Sequence, residues 1–243
     1  MKKDSLDVLY ETMEGKEYYL SLYEHACSLF REGDLKQAET EAMMSLEAIG
    51  VPEKGSYTEA SVTAAKCMKL LADIHRQESL KPGLSGRLKR KTNLSKATSY
   101  YNYSCNMFDG MAEKLELPDL LSYYDSIAAF AEFCKETGDD GKAFRLYRIA
   151  YQALRDSGHF EEGIKETGPR AVELLEILAS HALEEADYAF AANMIGQAKD
   201  VTLLLAKAGP ESYEDKLREY DERLKELIEK GNLKVIDNPS AKR

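Results

Sequence analysis

Apolar residues return along this chain every three or four positions, and strand-like alternation is nowhere sustained. Leu20, Tyr23, Cys27 and Phe30 fall on one helical face, as do Ile127, Phe130, Ala131 and Cys134, and Leu175, Leu178, Ala179 and Ala182. Such spacing follows the 3.6-residue period of an α-helix and gathers each set into one stripe. The punctuation agrees. Pro118, Pro169 and Pro210 read as first-turn residues, and Pro52, Pro82 and Pro239 as loop or tail, places where a missing N–H breaks no helical hydrogen bond. Ser56 with Glu59 reads as a capping box, and Asp34, Asp139 or Asp140, and Asp187 as N-caps. The pattern predicts helices near 5–32, 35–49, 57–78, 94–115, 119–137, 141–156, 169–185, 188–207 and 211–230, an all-α chain of about nine helices. The last of them places Tyr213, Leu217, Tyr220, Leu224 and Leu227 on one face and charged residues elsewhere, as a helix sealing the end of a stack requires. Residues 231–243 read as a flexible tail.

Composition supports this picture and narrows the chemistry. Apolar residues make up 44% of the 243 positions, enough for a sizeable core. The 33 Lys and Arg against 43 Asp and Glu give a net charge of -10, which argues against broad attraction to nucleic acid or an anionic membrane while leaving room for local basic patches. No segment reaches the roughly 18 consecutive apolar residues of a membrane span. The opening MKKDSLDVLYETMEG meets Asp4, Asp7 and Glu11 where a signal peptide needs an apolar run. Cys27, Cys67, Cys105 and Cys134 stand far apart without a CxxC pair, so a reducing, cytoplasmic setting is expected and neither a metal nor another cofactor is implied.

An internal repeat emerges when Gly138 is aligned with Ala186. Phe130, Ala131, Cys134, Ala143, Tyr147 and Ala150 then match Leu178, Ala179, Ala182, Ala191, Ile195 and Ala198 in physical class. Small residues let two helix backbones approach, and the large ones beside them fill the space. Tyr23, Ala26, Cys27, Phe30, Gly33, Ala38, Ala42 and Ser45 fit with a turn one residue shorter; Met68, Leu71, Ala72 and His75, continued by Ala97, Tyr101 and Ser104, form an interrupted unit. These offsets resemble the tetratricopeptide repeat. Tryptophan is missing from the first aromatic slot, and Ala38, Ala97, Ala143 and Ala191 follow one another at 59, 46 and 48 residues against about 34 in the standard unit. The resemblance is therefore to a long-unit variant. It implies a right-handed α-α superhelix of antiparallel helix pairs over residues 1–210, with units near 18–50, 64–110, 124–156 and 172–208, a basic loop insertion at 79–96, and a capping helix at 211–230. It also implies a non-enzymatic scaffold that holds a protein or peptide in its concave face.

On that resemblance, ligand positions fall at Glu24 and Ser28, Lys69 and Asp73, Ala128 and Glu132, and Glu176 and Ser180. The set is mildly acidic and lacks the lysine and asparagine pairs that clamp a C-terminal carboxylate. A solvated groove and a peptide site both fit it. The segment 79–96 carries Lys81, Arg87, Lys89, Arg90, Lys91 and Lys96 without an acid. A hydrated loop and a polyanion-binding element using Arg87, Lys89, Arg90 and Lys91 are the two readings, and the absence of aromatic residues disfavours nucleic acid. Tyr18/Tyr19, Tyr100/Tyr101 and Tyr123/Tyr124 should each turn one ring off the core face. His25, His75, His159 and His181 are scattered, with His75 in a packing slot as a satisfied structural residue; Cys27 and Cys134 occupy core slots. Glu184 and Glu185 are neighbours that a helix would point apart. No phosphate-binding loop or nucleophile motif occurs. An exposed first helix leaves room for a homodimer.

Overall fold

The computed structural model describes residues 15–52, 55–82, 84–209 and 212–233, without the side chains of residues 15, 16 and 84–87. Among the described residues nine α-helices and one short 3₁₀ turn make up the regular structure, and no strand occurs. The helices are α1 Gly15–Glu32, α2 Leu35–Ile49, α3 Glu59–Leu80, α4 Leu84–Asp109, α5 Leu117–Glu136, α6 Asp140–Arg155, α7 Ile164–Glu184, α8 Tyr188–Ala208 and α9 Glu214–Gly231, with the 3₁₀ turn at Ala112–Lys114. None of them is long and apolar enough to cross a membrane. The expected helical residues 5–14, the prolines Pro210 and Pro239, and most of the expected tail lie outside the described residues. The chain forms two compact units, residues 1–133 and 134–243.

Three helix-to-helix turns share one construction. Gly33, Gly138 and Ala186 adopt positive φ, at 87°, 83° and 56°, which reverses the chain at a helix end. The N–H of the next residue then reaches back: Asp34 to the Leu29 carbonyl at 3.0 Å, Asp139 to Cys134 at 2.8 Å and Asp187 to Ala182 at 2.8 Å. Each aspartate carboxylate in turn accepts the N–H three residues on, from Gln37, Lys142 and Phe190, so one side chain caps the following helix. Five residues beyond each positive-φ residue come Ala38, Ala143 and Ala191, and seven before it Ala26, Ala131 and Ala179, all buried. The first turn is therefore no shorter than the others. Ala26 takes the close-packing slot, and Cys27 is displaced to a half-buried position beside it.

In the first unit, Ala26, Leu35, Ala38, Ala42, Leu70, Leu71 and Ile74 form a core shared by α1, α2 and α3. Buried serines cross-link it: Ser45 donates to the Tyr19 carbonyl at 2.8 Å, and Ser104 donates to the Ala65 carbonyl at 2.8 Å. Helices α4 and α5 meet through rings, with Tyr101 stacked on Phe130 and Phe108 on Tyr123. Tyr123 and Tyr124 are both buried, so adjacency does not expose one of them as the sequence suggests; α5 is covered over a wide arc. In the second unit, Leu174, Leu175, Leu178, Ala179 and Ala182 of α7 are buried, as are Ala191, Ile195, Ala198 and Val201 of α8. Tyr220 of α9 is fully buried.

Three element boundaries differ from expectation. Residues 84–96 belong to α4 and are not a loop: within this stretch only Gly86 strongly opposes a helix, and Leu, Lys and Arg are good helix formers whatever their charge. Helix α4 stops at Asp109, ahead of Gly110, and does not reach 115. Helix α7 begins at Ile164, so Pro169 lies inside it. The N–H that Pro169 lacks would have met the Lys165 carbonyl one turn earlier, and the buried Thr167 hydroxyl secures that first turn by bonding the Gly163 carbonyl at 2.9 Å. The cap of α3 is Thr58, whose hydroxyl accepts from Ser61 N–H at 3.1 Å, so Ser56 is not the capping residue.

Candidate binding grooves

Two grooves, one in each unit, take in some of the residues singled out by the sequence. In the first unit, α1, α3 and α5 line a recess of about 490 Å³ that includes Tyr23, Glu24, Tyr57, Glu59, Thr63, Lys66 and Asp119. Its central charges already satisfy one another. Asp119 accepts the Tyr57 hydroxyl at 2.9 Å on one oxygen and pairs with Lys66 at 3.0 Å on the other. Lys69 and Asp73, one turn farther along α3, pair at 2.7 Å, and Asp73 also accepts the buried Tyr101 hydroxyl. Ser28 donates to Glu32 at 3.0 Å on the outside of α1. Among the expected positions of this unit, only Glu24 lines the recess, and it is exposed. Glu132 is half-buried on α5 and lines neither groove.

The second unit is different. Helices α6 and α7 border a groove of about 610 Å³ lined by Lys135, Asp140, Ala143, Phe144, Tyr147, Glu173, Glu176, Ile177, Ser180, His181, Glu184 and Glu185. The floor is apolar. Tyr147 and Ala143 are buried, and the Phe144 ring packs against His181 with centroids 4.5 Å apart and against Phe190 at 5.9 Å. The rim is acidic. Glu173, Ile177, Ser180 and Glu184 follow one stripe of α7 at helical spacing. Glu185 joins them because the helix ends at Glu184, so the two adjacent acids border the same groove and do not diverge. No side-chain hydrogen bond or ion pair among the described residues engages the carboxylates of Glu173, Glu184 or Glu185.

Glu176 has another task. Its carboxylate accepts the Tyr220 hydroxyl at 2.6 Å and pairs with Lys216 at 2.6 Å, tying α7 to the C-terminal helix. Burial pushes its pKa up, but the hydrogen bonds from Lys216 and Tyr220 outweigh that and hold it below the usual carboxylate value. The Ser180 hydroxyl donates to the Glu176 carbonyl at 2.9 Å. Of the expected groove residues, Glu176 and Ser180 thus share one groove, Glu24 stands in the other, and Lys69 and Asp73 are consumed by their own pairing. Phe144, Glu173, Glu184, Glu185, Lys66 and Asp119 were not among the expected ligand positions. A four-residue helical count from Glu176 and Ser180 could have found Glu184 in the sequence; the floor could not be found that way, because Phe144 comes from a different helix.

The remaining reactive groups are quiet. Burial pushes the Cys27 and Cys134 thiols up and takes Cys67 to about 12, away from the thiolate a nucleophile needs. His75 is buried, yet neither ring nitrogen makes a hydrogen bond; Glu39 stands 3.3 Å from Nε2, and the ring stacks on Tyr100. It is a packed histidine, but not the satisfied one expected. Among the described residues no group of three or more His, Cys, Asp or Glu could hold a metal ion. Lys89, Arg90 and Lys91 lie on the exposed start of α4, and the side chain of Arg87 is not described. The chain matches no known family model, and no curated protein matches it.

Proposed function

We propose that the protein is a non-enzymatic, cytoplasmic scaffold of tetratricopeptide type, a right-handed stack of helix pairs that holds a basic segment of a partner protein in the α6–α7 groove. The observation that carries this reading is the groove's composition: an aromatic floor at Phe144 and Tyr147 below three unpaired carboxylates, Glu173, Glu184 and Glu185. An apolar floor favours burying a side chain or the stem of a lysine or arginine, and the acidic rim selects cations over anions. The repeated turn at Gly33, Gly138 and Ala186 supports the repeat character, and the raised thiols and self-paired charges elsewhere favour binding over catalysis. The four free cysteines accord with a reducing compartment.

Fluorescence anisotropy against arrayed peptides of basic, neutral and acidic composition tests the reading. Basic peptides are expected to bind, and Glu173→Lys with Glu184→Lys should weaken that binding about tenfold or more, since reversed charges meet the ligand cations directly. Glu176 is the wrong residue to reverse, because its loss would also loosen α9. Equal binding by the variant and the parent chain would remove the groove from consideration.

A further inference from the structure

The basic segment that reads as a loop is the end of a helical hairpin, and this changes what it can do. The chain has no acid between Ser79 and Lys96. Residues 88–92 are all exposed, and Asn93 is the first buried side chain described on α4. From Asn93 back to Leu84 the helix runs nine residues, roughly 13 Å at the α-helical rise. The side chains of Lys89, Arg90 and Lys91 make no hydrogen bond or ion pair among the described residues, while Lys81 is paired with Glu78. Leu88, 82% exposed, precedes these cations on α4, and Leu80, 64% exposed, ends α3; they are the two most exposed leucines among the described side chains.

We infer that this hairpin end docks onto an anionic lipid surface. The cations alone would suit any polyanion, and the leucines count against a nucleic acid. A phosphate backbone offers Leu80 and Leu88 nothing, and residues 79–96 include no aromatic ring on which a base could stack. A bilayer surface uses both kinds of group at once: leucines enter the boundary between headgroups and acyl chains, and neighbouring lysines and arginines keep their charges among the anionic headgroups. Leu88 and Lys91 lie three positions apart and therefore side by side on the helix. The net charge of -10 opposes approach, but charges beyond the screening length of about 8 Å at physiological ionic strength act weakly on the contact. Attachment is peripheral, reversible and salt-sensitive.

Flotation of the full chain with phosphatidylcholine vesicles, with and without phosphatidylserine, tests this. The protein is expected to float with the anionic vesicles alone. Replacing Lys89, Arg90 and Lys91 by Gln should lower partitioning roughly a hundredfold, at about fivefold per cation, and Leu88→Ser should lower it several-fold at every salt concentration. All four side chains are exposed, so the variants should keep the parent's circular dichroism and urea midpoint. Absence of flotation with anionic vesicles overturns the inference. So does flotation that is unchanged by the triple substitution, or binding to duplex DNA or RNA that matches vesicle binding while Leu88→Ser has no effect.

Discussion

Ala186 holds a backbone conformation that its side chain opposes. Its φ of 56° lies in the left-handed region, where an L-residue carries a steric cost of about 1–2 kcal/mol that glycine avoids. The equivalent turns use glycine, at Gly33 and Gly138. Ala186→Gly should therefore stabilise the second unit by about 0.5–1 kcal/mol: strain relief outweighs the extra entropy glycine brings to the unfolded chain. Chemical denaturation followed by circular dichroism would read this as a higher midpoint, and a lower midpoint would mean that the turn is held for some other reason. The alignment of Gly138 with Ala186 is visible in the sequence, and so are the aspartates that follow. The shared geometry is not, because a sequence shows alanine as a helix former and gives no sign that the flanking hydrogen bonds force it left-handed. The one-residue slip at Gly33 has the same origin: Ala26 and Cys27 are both small, and only burial separates them.

At the scale of the helix, charge misleads and small residues inform. A run of lysine and arginine is read as solvated chain, yet the backbone of α4 forms regardless of where those side chains point. Pro169 is taken for a helix start, while a helix that begins at Ile164 accommodates it because Thr167 holds the preceding turn. Next to that proline, Gly168 marks a tight approach of α7 to α8: a Cβ there would stand 2.8 Å from Leu205 Cδ2 and 2.9 Å from its Cγ. Gly168→Ala gains up to about 1 kcal/mol in helix propensity, but it forces a buried leucine to move, and overpacking of this kind costs about 1–3 kcal/mol. Net destabilisation of about 1 kcal/mol is expected, and pairing the change with Leu205→Ala should recover part of it by making room. A double-mutant cycle on urea midpoints measures that coupling; strict additivity would show that the two helices do not meet at this point. The amphipathic face of α9 is legible in advance through Tyr220 and Leu227, whereas its attachment through Lys216 and Tyr220 to Glu176 is not, since 44 residues of sequence separate Tyr220 from its acceptor.

For the whole molecule, the two units carry different acid sensitivities. In the first, burial holds the His75 imidazole below its ordinary pKa, against the opposing pull of Glu39, with Lys96 nearby reinforcing the shift. The unfolded chain then takes up a proton more readily than the folded one. The stability tied to neutral His75 is therefore complete above about 6.5, the unfolded value, and is lost as pH falls through the folded one. In the second unit, Glu176 is held below its ordinary 4.5 despite burial, by Lys216 and Tyr220. Its contribution is complete above about 4.5 and is lost as pH falls through the folded value. Acid should accordingly weaken the first unit before the second. Urea midpoints measured from neutral pH downward, with hydrogen exchange to assign each unit, should show protection falling first around His75 and Tyr100 and later around Glu176 and Tyr220. His75→Phe, which keeps a ring against Tyr100, is expected to flatten the upper part of the profile, and Glu176→Gln the lower part. A profile that falls in one step, with both variants retaining the parent's shape, would show that neither group governs acid stability. Because Glu176 also borders the groove, its protonation would loosen α9 and weaken the acidic rim together, so ligand affinity should decline with acid over the window in which the second unit loses stability.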